Sequence, residues 1–481
     1  MLKNIPHIHL LKLYDEYYLY DVNTNAIVSI PLKVYEYLQS SLNSDENSNN
    51  LYECLDKNLR DGIEYLKSQG MLLPRNENLK IKHVETDLLK DLYENNLRSL
   101  TLQVTQNCNL RCSYCVYSGS YVNRTHSNKR MSWEVAKKTI DFFYEHSTNT
   151  EEVVFGFYGG EPLLEFELMK KCINYIRELF IGKKIFFTVT TNATLLTEEK
   201  IKFLAKNNFD LVISLDGPAD VQNKNRIFAD EHRGTFEVVM KNLSKVKMID
   251  ESFYKRISFN AVIDLKENFS CANEFFLSYD MVKDLNVAGN YVNVTNKVEK
   301  IDINTKYYAD AQYETFKAYL YHCSNIFSAY KPTLLNNVVN NIKSSMNDRV
   351  KVRGERVLQS SPGGQCIPGI QRFFVNVDGE FYPCERVNEN ADILNIGNIH
   401  NGFDINKAKN ILNIANTTEE ECRKCWCFKI CTQCVSMAEE DGELSRKRRL
   451  SICSETQKNA EEQIKDYIVL KKYGCDFEKE V

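Results

Sequence analysis

The clearest indication of both fold and chemistry in this chain is the stretch SLTLQVTQNCNLRCSYC at residues 99–115. Its first seven residues have the apolar alternation of a β-strand, and Cys108, Cys112 and Cys115 follow within one short loop. A [4Fe–4S] cluster usually takes four thiolates, whereas this loop supplies three and no fourth cysteine lies near in sequence. One iron would therefore keep an open coordination position, as catalytic metal sites generally do. Zinc is the alternative, with His126 as the nearest later ligand.

From residue 99 to about residue 295 the chain alternates strand and helix patterns. The predicted strands are 99–105, 152–158, 184–190, 210–215, 256–263 and 285–294. The predicted helices between them are 132–147, 166–180, 197–208, 235–249 and 268–283. Six β–α units in a row predict an α/β fold with a parallel sheet, either open or curved into a partial barrel. In both cases the chemistry belongs at the carboxyl ends of the strands.

Small and polar residues stand at those strand ends. The second strand is followed by Gly159-Gly160-Glu161-Pro162, the third by Asn192, the fourth closes with Ser214 and Asp216, and Asn260 lies on the fifth. Two glycines allow close backbone approach, and Glu161 can accept hydrogen bonds from a cationic amino group. Each residue alone is compatible with an ordinary turn or cap. Their convergence on one rim predicts a binding site.

The motifs CxxxCxYC (108–115), GGEP (159–162), TN (191–192) and SLDGP (214–218) together resemble those of the radical SAM enzymes. The resemblance implies a partial (β/α)6 TIM-like barrel, with the three cysteines holding a catalytic cluster whose fourth iron is chelated by S-adenosylmethionine (SAM). One electron would split SAM into methionine and a 5′-deoxyadenosyl radical, which takes a hydrogen atom from the substrate. The residues that the resemblance places around SAM are Tyr114, Gly159, Gly160, Glu161, Asn192, Ser214, Arg226, Asn260 and Val262.

A second group of cysteines lies between residues 366 and 453, and soft thiolates in this number suit iron–sulfur clusters or zinc. The spacing resembles the SPASM extension, which carries two auxiliary [4Fe–4S] clusters and brings the expected total to three. The resemblance assigns Cys422, Cys425, Cys431 and Cys453 to an outer cluster, and Cys366, Cys384 and Cys434 to an inner cluster that is one ligand short. Cys427 is either the missing ligand or a bystander. Glu385 directly follows Cys384. In anaerobic sulfatase maturases the corresponding residue is an Asp that acts as a base, so Glu385 is predicted to be catalytic.

The first ninety residues predict a small separate unit of the winged-helix type. Alternating segments at 16–22 and 26–30 predict a β-ribbon, and helix patterns follow at 31–42 and 51–69. The unit resembles the precursor-peptide recognition element of ribosomal peptide maturases, in which a leader peptide adds as a strand to the ribbon edge. A plain structural domain is the alternative.

The remaining segments are predicted to connect or cover these units. The charged stretch 75–97 is predicted to be a linker, 307–329 and 333–347 to be bridging helices, and 455–473 to be an amphipathic helix on the surface. The predicted domains are a recognition element (1–90), a radical SAM barrel (98–300), bridging helices (301–365), a cysteine-rich auxiliary-cluster domain (366–455) and a C-terminal helix (456–481).

Composition excludes several classes of protein. Lys and Arg number 61 and Asp and Glu 65, so the formal charge of −4 argues against a nucleic-acid or anionic-membrane partner. No apolar run approaches the roughly 20 residues that cross a bilayer, and residues 1–13 have no secretory pattern. We therefore expect a cytoplasmic protein, in which grouped cysteines bind metal more often than they form disulfides.

Together these features predict a maturase of a ribosomally made, cysteine-rich precursor peptide, bound through its leader. The resemblance implies an intramolecular thioether between a cysteine sulfur and a carbon, with electrons from a small reductant protein, a flavodoxin or ferredoxin. The alternatives are a formylglycine-generating sulfatase maturase and a peptide epimerase or carbon–carbon crosslinking enzyme. A non-catalytic electron carrier has no need for GGEP or an incompletely ligated first cluster.

Overall fold

The N-terminal unit is a three-stranded antiparallel sheet followed by three helices. The structure, a computed structural model, describes residues 5–43, 48–117, 126–230, 233–266, 269–292, 305–324, 332–347 and 358–477. The strands are β1 (Ile8–Leu13), β2 (Glu16–Asp21) and β3 (Ala26–Ile30), in the order β1-β2-β3. The helices are α1 (Leu32–Leu42), α2 (Ser48–Glu53) and α3 (Lys57–Ser68).

Two sequence predictions for this unit are wrong. The ribbon expected to have two strands is a three-stranded sheet with β2 in the centre, because β1 was not predicted. The sequence of β1, IHLLKL, lacks a clean alternation of apolar and polar residues. The single helix expected at 51–69 is two helices, because Asp56 caps a new helix by accepting a hydrogen bond from the Leu59 N–H at 3.0 Å. Residues 44–47 of the predicted interhelical loop lie outside the described residues.

The predicted linker 75–97 is also wrong over most of its length. It contains β4 (Lys80–Ile81) and α4 (Leu89–Asn95). Leu89 and Tyr93 are buried in the main core, and the Tyr93 ring stacks on Phe403 with their centroids 3.9 Å apart. Charged residues surround this short apolar stripe in the sequence and conceal it.

The central unit confirms the predicted alternation of strands and helices. Its strands are β5 (Ser99–Thr105), β6 (Glu152–Gly159), β7 (Lys184–Thr191), β8 (Phe209–Ser214), β9 (Ser258–Ile263) and β10 (Asn286–Tyr291). Its helices are α5 (Trp133–Glu145), α6 (Phe166–Leu179), α7 (Glu198–Lys206), α8 (Ala219–Asn225), α9 (Phe236–Ile249), α10 (Glu251–Tyr254) and α11 (Phe269–Ser278). All neighbouring strands pair in parallel in chain order, so their carboxyl ends share one rim.

The cysteine-rich region extends this sheet, which the sequence did not predict. Helices α12 (Thr305–Ser324) and α13 (Asn336–Ile342) lead to β11 (Gln359–Ser360), which pairs with β4. Strand β12 (Phe373–Val375) then pairs in parallel with β5, and three short antiparallel strands follow: β13 (Glu380–Tyr382), β14 (Gly397–Asn398) and β15 (Gly402–Phe403). The ends of two predicted elements, 293–294 and 325–329, lie outside the described residues.

The C-terminal helix is amphipathic as predicted, with one exposed charged face and one face buried in the protein. The last elements are α14 (Ile405–Leu412), α15 (Glu419–Lys424), β16 (Glu439–Glu440), β17 (Glu443–Leu444), α16 (Arg446–Ser451) and α17 (Cys453–Lys472). Ile464, Ile468 and Leu470 of α17 are buried in a second core that also includes Leu11 and Tyr20 of the N-terminal sheet. Helix α17 therefore joins the two ends of the chain. None of the helices in the described part is long and apolar enough for a membrane span.

Candidate active site and cysteine-lined cavities

The three-cysteine loop follows β5 and is fixed by the segment that follows α8. The backbone N–H groups of Arg111 and Ser113 donate to the carbonyls of Ile227 and Asn225 at 2.9 and 3.0 Å. The Ser113 hydroxyl also donates to the Asn225 side chain at 2.6 Å. The loop is thus held by backbone contacts to a distant part of the chain, at the carboxyl rim of the sheet.

Its three thiols lie close enough to influence one another electrostatically. Burial raises the pKa of Cys108 to about 12, with smaller contributions from Glu161, Cys112 and Cys115. Burial likewise raises the pKa of Cys112 to about 11. A metal would therefore have to displace the thiol protons on binding.

The donor types of this loop suit an iron–sulfur cluster. In the described ranges, no three Cys, His, Asp or Glu side chains are arranged to hold one metal ion. A [4Fe–4S] cluster takes its thiolates on separate irons, so the sulfurs around it need not converge on one point. The donor set of this loop, three soft sulfurs and no carboxylate among the predicted ligands, also suits iron–sulfur chemistry.

The two glycines of GGEP let the end of β6 lie directly against this loop. A Cβ on Gly159 would stand 2.1 Å from the Thr105 carbonyl oxygen, and one on Gly160 would stand 2.1 Å from that of Asn107. The N–H groups of Gly160 and Glu161 donate to these same two carbonyls, each at 2.9 Å. The close approach predicted for these glycines is made to the cysteine loop.

The Glu161 carboxylate ties β6 to β7. It is 1% exposed and accepts hydrogen bonds from the Thr191 hydroxyl at 2.7 Å and from the N–H groups of Asn192 and Leu163 at 2.8 and 3.0 Å. Burial raises the pKa of Glu161, and these donors oppose the shift. Both oxygens already have partners within the protein, so its expected contact with the SAM amino group stays a prediction.

Asn192 links the third strand end to the first cysteine. Its side-chain amide donates to the Asn109 side chain at 2.9 Å and points to the Cys108 sulfur at 3.9 Å. Its amide oxygen accepts from both the N–H and the hydroxyl of Thr194. The structure thus brings Asn192 to the cluster loop, and its contact with SAM remains a prediction.

Asp216, predicted to lie on this rim but not among the SAM contacts, is a centre of the site. Its carboxylate, 1% exposed, accepts hydrogen bonds from the Arg226 guanidinium at 3.0 and 3.1 Å, from the Val262 N–H at 2.9 Å and from the Tyr114 hydroxyl. The Arg226 guanidinium also lies over the Tyr114 ring, 5.4 Å from its centroid. Three predicted SAM-binding residues therefore meet on one buried carboxylate. In the sequence, Asp216 is indistinguishable from an ordinary turn residue of SLDGP.

The remaining predicted SAM contacts lie along the same rim. Ser214 and Asn260 are register partners in β8 and β9. The Asn260 amide oxygen accepts from the Asn290 side chain on β10 at 2.7 Å. The structure brings these residues to one edge, where their contact with SAM is still a prediction.

Five cysteines of the C-terminal region line one cavity of about 250 Å³, here called the outer cavity. They are Cys422, Cys425, Cys427, Cys431 and Cys453. The four predicted outer ligands are among them, together with the extra Cys427. The apolar walls and the concentration of thiols fit an iron–sulfur cluster.

A second cavity of about 350 Å³, here called the inner cavity, is lined by Cys366, Cys384 and Cys434. Burial raises the pKa of Cys384 to about 11, with the neighbouring Glu385 carboxylate adding to the shift. Glu385 itself accepts a hydrogen bond from the Arg372 guanidinium at 2.6 Å. Cys427 lines the outer cavity and does not line this one, so three cysteines of the described residues face the inner cavity.

The N-terminal sheet docks beside the outer cavity. The Trp426 ring, between Cys425 and Cys427, stacks on His9 with centroids 3.8 Å apart and meets the edge of Tyr20. His9 also pairs with Glu461 of α17 at 3.1 Å. The predicted peptide-recognition unit and the cysteine-rich region therefore share an interface.

Comparison with known proteins agrees with this geometry. The model of the radical SAM superfamily matches residues 102–294. Residues 102–294 form a radical SAM domain. The chain is 24% identical over 354 residues to the cysteine-type anaerobic sulfatase-maturating enzyme of Clostridium novyi (strain NT), covering 70% of this chain and 87% of that enzyme.

Two further similarities extend the comparison. The radical SAM cyclopropyl synthase TigE of Paramaledivibacter caminithermalis is 24% identical over 223 residues, 44% of this chain and 43% of that enzyme. The solved structure described as native anSMEcpe with bound AdoMet has a TM-score of 0.58 at 21% identity, covering 77% of this chain and 99% of that one. The chain is thus similar in sequence to sulfatase-maturating enzymes and shares the overall fold of this solved structure.

Proposed function

We propose that this protein matures a ribosomally made, cysteine-rich peptide by forming intramolecular thioether crosslinks. The observation that carries the proposal is the inner cavity, which three cysteines line where a [4Fe–4S] cluster takes four thiolates. A cluster held there by Cys366, Cys384 and Cys434 would keep one iron open to a peptide cysteine. In the outer cavity, Cys422, Cys425, Cys431 and Cys453 would complete a full ligand set.

The groups expected at these sites would supply radical and electron-transfer chemistry. When bound, the first cluster with SAM would supply a radical that removes a hydrogen atom from the peptide, and the auxiliary clusters an electron acceptor. Forming the C–S bond removes one hydrogen atom from the carbon, one proton from the thiol and one electron. Glu385 would accept that proton, because its carboxylate lies beside Cys384 and is held by Arg372.

The N-terminal sheet would bind the peptide's leader. In the sheet order β1-β2-β3, the outer edge of β3 has no strand partner among the residues described by the structure. An extended peptide can add to such an edge through its backbone groups. In support, two solved relatives at 21% identity are described as holding peptides, named Kp18Cys and Cp18Cys. The stacking of His9 on Trp426 would place the bound leader beside the cysteine-rich region.

The second candidate function is oxidation of a sulfatase Cys or Ser to formylglycine. Sequence similarity favours it, because the matched region covers 87% of sulfatase-maturating enzymes from two Clostridium species at 24–26% identity. Against it, Glu385 stands where those enzymes are expected to carry an Asp, and the additional N-terminal sheet has no role in that reaction.

Mass spectrometry separates these two functions. The anoxically reconstituted protein is incubated with SAM, a reductant and either a sulfatase-derived cysteine peptide or a short synthetic cysteine-rich peptide. Thioether formation removes two hydrogens per crosslink and retains sulfur, whereas formylglycine formation removes sulfur from cysteine. The proposal predicts the first change on the cysteine-rich peptide. Loss of sulfur from the sulfatase peptide, with the other peptide unchanged, would reject thioether formation in favour of formylglycine formation.

A further inference from the structure

The outer cavity contains a buried cation without a carboxylate partner. Arg449 lines this cavity and is 1% exposed. Its Nε–H donates to the Thr418 hydroxyl at 3.0 Å, while its Nη1 is buried without a hydrogen-bond partner. Burial of an unpaired guanidinium costs several kcal/mol, so such groups are normally compensated by a negative charge.

Glu421 is the one carboxylate among the described residues that line the outer cavity. Its Oε1 pairs with Arg446, while its Oε2 is buried without a hydrogen-bond partner. No Asp or Glu of the described ranges forms an ion pair with Arg449, which leaves its charge to be compensated by a group bound in the cavity.

Polar side chains also contact three of the five thiols in this cavity. Three of the four predicted ligands have a neutral side chain within hydrogen-bond distance of the sulfur. The pairs are Thr418 with Cys422 at 3.3 Å, Gln457 with Cys425 at 3.3 Å, and Gln433 with Cys453 at 3.5 Å.

The fourth predicted ligand, Cys431, lines the same cavity as Arg449. The surroundings of the outer cavity therefore offer its thiols three neutral polar side chains and one buried positive charge.

We propose that Arg449 is the counter-charge of the outer cluster and raises its reduction potential. This inference rests on the cluster assignment made above, and not on the thioether reaction. A cluster held by four thiolates is anionic, and accepting one electron adds a further negative charge. A buried cation stabilises the reduced form more than the oxidised form, since low polarity strengthens the interaction. Hydrogen bonds and charge near the sulfurs are the means by which proteins set such potentials.

The test compares Arg449→Met with Lys447→Met in the full, reconstituted protein. Lys447 is exposed and two residues away, so its variant removes the same charge from outside the cavity. Iron content and an EPR-monitored redox titration are measured for both. In Arg449→Met we expect the equilibrium constant for reducing one cluster to fall at least tenfold. This corresponds to a reduction potential lower by about 59 mV for a one-electron couple. We expect no shift in Lys447→Met. Full iron content with unchanged potentials in Arg449→Met would overturn the inference.

Two further variants decide the case in which Arg449→Met loses the cluster. Arg449→Lys keeps the charge, so restored iron supports the counter-charge role. Iron lost equally from Arg449→Lys would overturn it in favour of a purely structural role.

Cys453→Ala tests the cluster assignment by itself, because unchanged iron content there would reject the outer cluster whatever Arg449 does. If the wild-type protein makes no thioether but Arg449→Met still lowers the cluster potential, the proposed reaction is rejected and this inference is supported.

Discussion

In the radical SAM domain the three predicted cluster ligands lie within eight residues of one loop, whereas the ligands of the inner cavity come from widely separated segments. Cys366, Cys384 and Cys434 line that cavity although the first and the last are 68 positions apart. The first site is therefore formed by one local segment that the sheet holds in position. The inner site exists only after the chain has folded.

The difference also appears in what surrounds the thiols. Around the first loop, the conspicuous groups are backbone contacts and a buried carboxylate, Asp216, which collects Arg226, Tyr114 and the Val262 N–H. Around the outer cavity they are side chains directed at individual sulfurs. The first arrangement fixes a loop, and the second adjusts the electrostatics of each ligand.

The largest effect should come from removing a ligand of the first loop. In Cys112→Ala, one of only three cluster ligands is lost, so cleavage of SAM to 5′-deoxyadenosine should fall to background. Chromatographic measurement of 5′-deoxyadenosine with SAM and dithionite checks this. Cleavage at the wild-type rate would show that the loop does not hold the catalytic cluster.

Removing a ligand of the inner cavity should separate the two regions. Cys384→Ala leaves the first loop intact, so SAM cleavage should continue in part while crosslinked peptide is no longer formed. Both products are measured in the same reaction. An unchanged yield of crosslinked peptide would mean that the inner cavity plays no part in the chemistry.

A third prediction concerns the contact that positions the first loop. In Gly160→Ala the new Cβ would meet the Asn107 carbonyl oxygen at 2.1 Å, so the loop must shift. Iron affinity of the first site should fall about 10–100-fold, the range typical of changes just outside a ligand shell. Gly62→Ala is the control, because nothing lies within 4 Å of the new Cβ on α3. Equal iron content in the two variants would contradict the positioning role.

The last prediction concerns stability and not the chemistry. Asp216→Asn removes one partner of a buried ion pair, which typically costs about 3–5 kcal/mol. Glu152→Gln removes one partner of the exposed pair with Lys184, at 2.6 Å, and should cost at most about 1 kcal/mol. Denaturant unfolding of both variants measures the difference. Equal costs would show that the Asp216 network does not stabilise the site.

Much of the central fold could be predicted from the sequence because its strands are buried and regular. Strands β5 to β10 start within two residues of their predicted positions. Strands β12 to β15 contain only two or three residues each and are stabilised by pairing with β5 and with one another, which no local pattern reveals.

The same distinction holds for the site. The cysteines and GGEP are recognisable because their chemistry requires those residue types at that spacing. Arg449 was missed as a functional residue, and Asp216 was predicted only to lie on the rim, because their importance comes from burial and from partners distant in sequence. An Asp in SLDGP and an Arg in a run of basic residues carry no such signal in the sequence alone.

The most direct test of this account is EPR spectroscopy of the reduced, anoxically reconstituted protein with and without SAM. If three cysteines of one loop hold the first cluster, one of its irons stays open to this coenzyme. We therefore predict that SAM changes the cluster signal in the wild-type protein and in Cys384→Ala, but not in Cys112→Ala. A wild-type signal that does not respond to SAM, or zinc bound in place of iron, would contradict it.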